Sequence, residues 1–305
     1  MSMSAEKVTI GKKRVWHRKP YVPKESLARE FVGREGELRL AAAAWMSAPG
    51  SAPQAPLLVG PPGCGKGRLV FELARRVGLD LYVCQGYDNI GAEELACTLM
   101  PSDEGHGQIE YLISALATAM HFGAICFVDE IGKFPGRALS LLASILDERE
   151  YMDLDLIGER IHAHSNFRFI AATNSEDLDA LPEFVRDRLF PVIRLEPPDP
   201  EEIGAIVTRQ FPAQQRRIGE LLNGFWRLWE ESAADDPLPP TPRDAIQVFS
   251  LAYKLAAQGS GAAAVAAGRD DRRSSFALAD PSGSVPIELG HLEQAMRQFR
   301  ECRVC

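Results

Sequence analysis

The sequence lacks the features that mark several classes of protein. Six cysteines in 305 residues are too few for a disulfide framework, so we expect reduced thiols and a cytoplasmic location. No apolar run reaches the roughly 20 residues of a membrane-spanning helix, because the longest, Leu112 to Val128, contains His121 and Gly123. The basic N-terminus has no apolar stretch behind it, so no signal peptide is expected. The remaining expectation is an ordinary globular protein of roughly two packed units, without a membrane span.

Basic charge is also scarce, except at the N-terminus. The chain carries 34 Lys and Arg against 42 Asp and Glu, a net charge of −8. Residues 1–24 nevertheless hold seven basic residues and one acidic residue, so the rest of the chain is strongly acidic. An acidic body disfavours non-specific binding to nucleic acid, which needs a basic face. Only the basic arm (residues 1–27), with Trp16, His17 and Tyr21 among its bases, keeps nucleic acid open as a partner.

Short apolar runs alternate with amphipathic stretches over residues 28–198. The runs predict five strands buried on both faces of a parallel sheet: Leu57–Gly60, Asp80–Cys84, Ala124–Val128, Phe167–Thr173 and Val192–Leu195. Helices are predicted between them at Arg68–Val77, Ile109–His121 and Gly136–Arg149, the first ending at a C-cap, Gly78. This alternation is typical of a doubly wound α/β domain.

The pattern changes after Pro197-Pro198. Residues 199–305 contain no strand-like run and predict a small all-α domain with helices at Glu201–Gln210, Arg216–Glu231, Arg243–Gln258 and Ile287–Arg300. Gly, Ser and Ala dominate residues 259–285, which we interpret as a flexible insertion. The terminal Cys302-Arg303-Val304-Cys305 supplies only half of a tetrahedral zinc site, so it does not predict a metal centre.

A glycine-rich turn follows the first predicted strand and opens a helix. Its residues are Gly60, Pro61, Pro62, Gly63, Cys64, Gly65, Lys66 and Gly67, followed by Arg68. Glycines allow successive N–H groups to point inward as an anion nest, and the helix N-terminus adds its positive dipole end. Lys66 is placed to reach the β- and γ-phosphates of a nucleotide. This segment, the phosphate loop (residues 60–67), predicts phosphate binding.

Gly67 departs from the usual pattern of such a loop. The residue after the lysine is ordinarily Ser or Thr, whose hydroxyl binds Mg²⁺. Gly67 has no side chain, so the metal would take a water there, as Mg²⁺ readily does. Two interpretations stay open: the change is tolerated, or the protein binds nucleotide and hydrolyses it slowly.

Two later strands end in polar side chains. Asp129 and Glu130 close the run Ala124–Val128, and Asn174 follows Phe167–Thr173. The carboxyl ends of parallel strands lie at the sheet edge that binds ligands. We therefore expect Asp129 to hold Mg²⁺ through water, Glu130 to polarise an attacking water and Asn174 to orient that water. The alternative is a solvated acidic pair and a turn-forming Asn.

In combination these motifs resemble the AAA+ ATPase superfamily, and in particular its MoxR-like, dynein-related branch. Further segments carry the resemblance: the helix 138–149, the hairpin position Met152–His164 and the lid segment Thr241-Pro242-Arg243-Asp244-Ala245. It covers about residues 28–258. The resemblance implies a P-loop NTPase fold, a helical lid, ATP and Mg²⁺ as cofactors, and ATP hydrolysis as the reaction.

The resemblance also implies roles for three arginines and an assembly. Arg188 matches the arginine that reaches the γ-phosphate bound by a neighbouring subunit, with Arg186 as the alternative. Arg243 matches the lid arginine that contacts the γ-phosphate in its own subunit. The implied assembly is a homo-oligomeric ring, usually a hexamer.

The implied function is chaperone-like remodelling or assembly of a partner protein, often one with a von Willebrand factor A domain. Two alternatives remain open. One is a nucleotide-gated switch with weak hydrolysis, which Gly67 permits. The other is a motor or loader subunit that acts on nucleic acid through the basic arm.

Overall fold

The computed structural model describes residues 3–23, 31–49, 51–102, 109–231, 239–259 and 285–304. The strands in chain order are β1 (Met3–Ile10), β2 (Lys13–Arg18), β3 (Ala55–Val59), β4 (Leu81–Gln85), β5 (Cys97–Pro101), β6 (Ile109–Ile113), β7 (Ile125–Asp129), β8 (Tyr151–Leu154), β9 (Glu159–His162), β10 (Arg168–Thr173) and β11 (Leu189–Arg194). The helices are α1 (Glu35–Ala44), α2 (Lys66–Val77), α3 (Ala92–Ala96), α4 (Ala115–Phe122), α5 (Gly136–Ile145), α6 (Glu183–Arg186), α7 (Pro200–Gln210), α8 (Ile218–Glu231), α9 (Pro242–Gly259) and α10 (Leu289–Val304). Short 3₁₀ helices lie at Ile131–Lys133 and Pro212–Gln214. The chain divides into two units, Met1–Glu196 and Pro197–Cys305.

The first unit is built on a five-stranded parallel sheet in the order β11-β3-β10-β7-β4. All five residues of β3 are buried, because α1 and α2 pack on one face of the sheet and α3, α4 and α5 on the other. The predicted α/β fold and its five parallel strands are thereby confirmed. Helix α2 ends at Gly78, whose φ of 69° places it in the left-handed region, as the predicted C-cap requires.

A second, four-stranded sheet in this unit was not predicted; its order is β1-β2-β6-β5. The segment interpreted as a basic arm forms the hairpin β1–β2, and its Val15 and Ile10 are buried in the core. The predicted helix Ile109–His121 is wrong over its first turn, since residues 109–113 form β6. Helix α4 begins only after Ser114, whose hydroxyl accepts the Ala117 N–H at 3.0 Å.

The remaining elements of the first unit follow the sequence more closely. Strands β8 and β9 form an antiparallel hairpin within the span expected from the resemblance. Helix α5 ends at Ile145, one turn before the predicted Arg149.

The second unit is helical in its described residues, as predicted. Helices α7 to α10 enclose a core that includes Phe225, Phe249 and Trp229. Asp199 caps α7 by accepting the Glu202 N–H at 2.7 Å. The insertion predicted at 259–285 lies almost entirely outside the described residues. No described helix is long and apolar enough to cross a membrane.

Candidate functional site

The phosphate loop connects β3 to α2 and has the backbone that its glycines allow. Gly63 and Gly65 have φ values of 84° and 101°, a region that residues with a side chain rarely adopt. At Gly60, an added Cβ would lie only 2.5 Å from the Leu195 carbonyl oxygen. Helix α2 begins at Lys66, so its free N–H groups face the loop. This is the anion-binding arrangement expected from the sequence.

Lys66 is the buried cation of the loop, with 9% of its surface exposed. Its Nζ donates to the Gly60 carbonyl at 2.6 Å, to the Pro61 carbonyl at 3.1 Å and to Asn174 Oδ1 at 3.0 Å. The structure therefore brings together Lys66 and Asn174, which lie more than 100 residues apart in the chain. These three acceptors are neutral oxygens.

Two other loop residues, and Arg68 directly after the loop, differ in their surroundings. Cys64 is buried, whereas Gly67 is the second residue of α2 and is partly exposed. A Cβ added at Gly67 would meet only Phe127 and Phe71, each at 4.0 Å. Burial lowers the pKa of Arg68, while the charge of Glu72 acts in the opposite direction.

The acidic pair lies at the carboxyl end of β7. The Asp129 carboxylate accepts the Glu130 N–H at 3.1 Å. Glu130 has a φ of 56°, an unusual value for a residue with a side chain, and its Oε2 accepts from Lys133 Nζ at 2.7 Å. This ion pair raises the pKa of Lys133. Because β10 lies between β3 and β7, Asn174 follows the strand between the phosphate loop and the acidic pair.

Sequence reasoning missed three residues that shape this edge: Lys133, which binds Glu130, together with Gly86 and Asp177. Gly86 follows β4; its N–H donates to the Asp129 carbonyl at 2.7 Å, and a Cβ there would overlap the Glu130 carbonyl oxygen. Asp177 Oδ2 accepts from Asn174 Nδ2 at 3.4 Å, and its charge also raises the pKa of Lys133. The only available signal was the glycine at a strand end.

The two candidate trans arginines have different surroundings. Arg188 Nη1 donates to the Phe184 carbonyl at 2.6 Å, and Nη2 lies 3.5 Å from Asp147 Oδ2. Its Nε is buried with no partner among the described residues. Among the described residues, the Arg186 guanidinium has one long ion-pair contact, 3.8 Å to Asp179. It lines an open cavity of about 440 Å³ whose other lining residues are Leu57, Leu178, Val192 and Arg194.

Arg243 lies in the second unit, exposed in the first turn of α9. Thr241 caps this helix: Asp244 Oδ2 accepts the Thr241 N–H at 2.8 Å, and Thr241 Oγ1 accepts the Asp244 N–H at 3.3 Å. This reciprocal box, with Pro242 in the first turn, fixes where the helix begins.

The three aromatic residues of the basic arm pack against the first unit. Trp16 donates to Glu110, His17 lies edge-on to Phe122 with ring centroids 4.9 Å apart, and Tyr21 stacks on Phe71 at 5.0 Å. The Tyr21 stack covers a ring face that base stacking would need, and the other two contacts hold Trp16 and His17 against neighbouring residues of the first unit. Within the described part of the chain, no three His, Cys, Asp or Glu residues are grouped as a metal site.

Comparison with known proteins agrees with this geometry. Residues 56–189 match the family model described as AAA domain (dynein-related subfamily). Protein NorQ of Paracoccus denitrificans is 31% identical over 157 residues, which are 50% of this chain and 57% of that protein. Protein CbbQ of Hydrogenophilus thermoluteolus is 27% identical over 156 residues, again 50% and 57%. Denitrification regulatory protein NirQ of Pseudomonas aeruginosa is 30% identical over 118 residues, 39% and 44%.

The chain thus spans about half the length of these curated relatives. Among solved structures, the Thermotoga maritima RuvB Holliday junction branch migration motor has a TM-score of 0.52 and 18% identity, covering 88% of this chain and 70% of that one. At this identity the likeness concerns the fold alone. Taken with the phosphate loop and the strand-end carboxylates, the match over residues 56–189 confirms the predicted resemblance of this part of the chain to AAA+ ATPases of the MoxR-like, dynein-related kind.

Proposed function

We propose that this protein is an ATPase that binds ATP at the phosphate loop and hydrolyses it at the carboxyl edge of the central sheet. The observation that carries the proposal is the hydrogen bond between Lys66 and Asn174, on an edge that also holds Asp129 and Glu130. The family-model match over residues 56–189 supports nucleotide binding. Lys66 then stabilises negative charge on the β- and γ-phosphates as a point charge at the helix N-terminus.

The residues at this edge fit a magnesium ion. Mg²⁺ in nucleotide sites usually has one or two carboxylate ligands, phosphate oxygens and several waters. Asp129 supplies a carboxylate at the end of β7, and Gly67 supplies nothing. Asp129 would hold the ion, directly or through water, and the bound ion would neutralise charge on the phosphates.

Glu130 is the residue that accepts a proton from, or polarises, the attacking water. Its carboxylate follows β7, and the carbonyl of its own residue lies against Gly86, so the backbone at this point is tightly confined. The Asn174 side chain has an amide donor and a carbonyl acceptor with which to orient water. The carbonyl oxygen also accepts from Lys66, and the amide nitrogen also donates to Asp177. In this scheme the Glu130 carboxylate is the general base, and the Asn174 amide orients the attacking water.

Arg188 and Arg243 complete the charge stabilisation in this proposal. Arg188 reaches the γ-phosphate of a neighbouring subunit in a homo-oligomeric ring, and Arg243 acts from the helical unit of its own subunit. A guanidinium opposite the transferring phosphoryl group stabilises the charge of the transition state. Arg186 stays the alternative to Arg188.

The work done with this energy is remodelling or assembly of a partner protein, in the manner of a chaperone. Support comes from the relatives, one of which is called a denitrification regulatory protein. A partner with a von Willebrand factor A domain and a cytoplasmic location belong to the same proposal. The packing of Trp16, His17 and Tyr21 favours a protein partner over nucleic acid.

Two substitutions test the proposal. Lys66→Ala should abolish ATP binding, and Glu130→Gln should retain ATP binding, lose turnover and stabilise the oligomer. The isosteric Glu130→Gln can also serve as bait, because trapped ATP should hold the ring and its partner together. ATP turnover by Glu130→Gln equal to that of the parent would refute the role of Glu130. A protein that stays monomeric with Mg·ATP at micromolar concentration would refute the ring.

Gly67 supports a second candidate, a nucleotide-gated switch with weak hydrolysis. Without a hydroxyl at this position the metal loses one fixed ligand. A turnover number in the ordinary range of AAA+ ATPases would eliminate this candidate. Low turnover that rises in Gly67→Ser would favour it.

A further inference from the structure

Arg188 is held by two groups of its own chain. Its Nη1 donates to the carbonyl of Phe184, a residue of the short helix α6, which ends two residues before Arg188. Its Nη2 faces the carboxylate of Asp147 at 3.5 Å, and Asp147 lies two residues beyond the end of α5. The side chain is 31% exposed, so part of the guanidinium stays accessible while these two contacts define its direction.

Asp147 also binds a second arginine, and more tightly. Arg149 donates from Nε at 3.0 Å and from Nη2 at 2.8 Å, and its backbone N–H adds a bond at 3.0 Å. These bonds are the main cause that lowers the pKa of Asp147 to about 2. The carboxylate is therefore ionised at neutral pH and fixed in place before it meets Arg188.

Arg149 in turn connects this carboxylate to the hairpin β8–β9. Its guanidinium lies 5.7 Å from the Tyr151 ring centroid, and Arg160 lies over the same ring at 3.7 Å. Arg160 is paired with Asp153 on the opposite strand at 2.6 Å. Asp147 thus lies between Arg149, which contacts the hairpin β8–β9, and Arg188, the arginine proposed to reach the neighbouring subunit.

We propose that Asp147 is a positioning residue for Arg188: it holds the guanidinium in the direction from which it reaches a neighbouring subunit. The inference rests on the proposed trans role of Arg188. A long side chain such as arginine has many rotamers and loses conformational entropy when it binds a phosphate. A carboxylate that already holds the guanidinium reduces this entropy loss. Asp147 itself touches neither nucleotide nor water in this scheme.

The first test is kinetic. Asp147→Asn removes the charge and keeps the shape, and it should lower kcat for ATP by about 3- to 10-fold with KM within about 2-fold, because only the transition state loses an interaction. Asp147→Glu keeps the charge and should recover part of the rate. Arg160→Ala is the matched control: it removes an arginine–carboxylate pair of the hairpin, with Asp153, and leaves the bonds of Asp147 in place, so it should not reproduce the loss.

Mixing variants distinguishes an effect on Arg188 from an effect on the subunit's own nucleotide site. Lys66→Ala subunits retain the arginine but lack the phosphate lysine, so mixing them with Arg188→Ala subunits should restore turnover. Asp147→Asn should behave like Arg188→Ala, recovering activity with Lys66→Ala and not with Arg188→Ala. Recovery with Arg188→Ala would overturn the inference, since Asp147→Asn would then supply a competent arginine.

The reference mixture reports on the proposed function separately. If Lys66→Ala and Arg188→Ala fail to complement each other, the trans role of Arg188 is refuted and the inference falls with it. If they complement each other but Asp147→Asn matches the parent, only the inference is refuted. Circular dichroism and thermal unfolding of each variant establish that the loss is not a loss of fold.

Discussion

Replacement of Gly67 by Ser tests both the packing around α2 and the chemistry of the phosphate loop. Gly67 is the second residue of α2, and its φ does not lie in the left-handed region. An added Cβ would contact Phe127 and Phe71 at 4.0 Å, which is ordinary van der Waals distance. Nothing in the surroundings therefore requires glycine at this position.

The magnitude follows from chain entropy. A glycine in a helix lowers the free energy of unfolding by about 0.5–1 kcal/mol relative to alanine, because its backbone loses more conformational entropy on folding. Gly67→Ala and Gly67→Ser should each raise the free energy of unfolding by about that amount. For a unit of this size, each kcal/mol of added stability raises the midpoint temperature of thermal unfolding by about 2–4 °C.

The two variants separate stability from metal chemistry. Only Gly67→Ser adds a hydroxyl, so only it should tighten Mg²⁺-dependent ATP binding or speed turnover. Chemical denaturation without nucleotide measures the first effect, and ATPase assays across a magnesium titration measure the second. A loss of stability in both variants would refute the packing argument, and equal kinetics in the two would refute a role for the hydroxyl.

Three further changes have defined outcomes. Gly86→Ala places a methyl group against the Glu130 carbonyl and should destabilise the fold by about 1–3 kcal/mol, measured by chemical denaturation. An unchanged denaturation midpoint would show that the backbone at Glu130 shifts without cost. Val15→Ala should cost about 2 kcal/mol because Val15 is fully buried, whereas a free N-terminal arm would show no change. The Asp147 pKa, lowered from 3.8 to about 2, makes the ionised form stabilising above pH 3.8, and this contribution is lost as the pH falls towards 2. Asp147→Asn should accordingly make the unfolding free energy less dependent on pH in that interval, and an unaltered dependence would contradict the shift.

The central sheet was predictable because its signals are local. Strands buried on both faces are continuous apolar runs, and β3 and β7 stand out in the sequence for that reason. The phosphate loop was equally clear, since its glycines, lysine and following helix are contiguous. Chain order and the parallel arrangement then placed Asn174 and the acidic pair at one edge.

The second sheet was not predictable in the same way. Residues 109–113 are apolar except for Glu110 and continue into a true helix, so periodicity alone did not separate strand β6 from α4. The strand exists because β5 and β2 pair with it, and these partners lie before it in the chain. The hairpin β1–β2 was hidden by its charges, although Val8, Ile10 and Val15 form its inward face.

The turns that follow the strands explain what the site description missed. Lys133 and Asp177 belong to no motif, yet one binds Glu130 and the other binds Asn174. Their importance arises from the meeting of a 3₁₀ helix after β7 with a turn after β10. A sequence identifies the strand ends but not which charged side chains the following turns bring against them.

The choice between Arg186 and Arg188 shows the same limit and allows a final prediction. The two are separated by one residue, so no local pattern distinguishes them, but of the two only Arg188 is bound by Asp147 and by the Phe184 carbonyl. Among the described residues, the Arg186 guanidinium has one ion-pair contact, at 3.8 Å to the exposed Asp179, and it lies beside a cavity. Arg186→Ala should therefore reduce ATP turnover less than Arg188→Ala does, and the mixing assay should assign the larger trans effect to Arg188. The reverse ranking would mean that the contacts of Arg188 hold it within its own subunit and that Arg186 is the residue that reaches the neighbour.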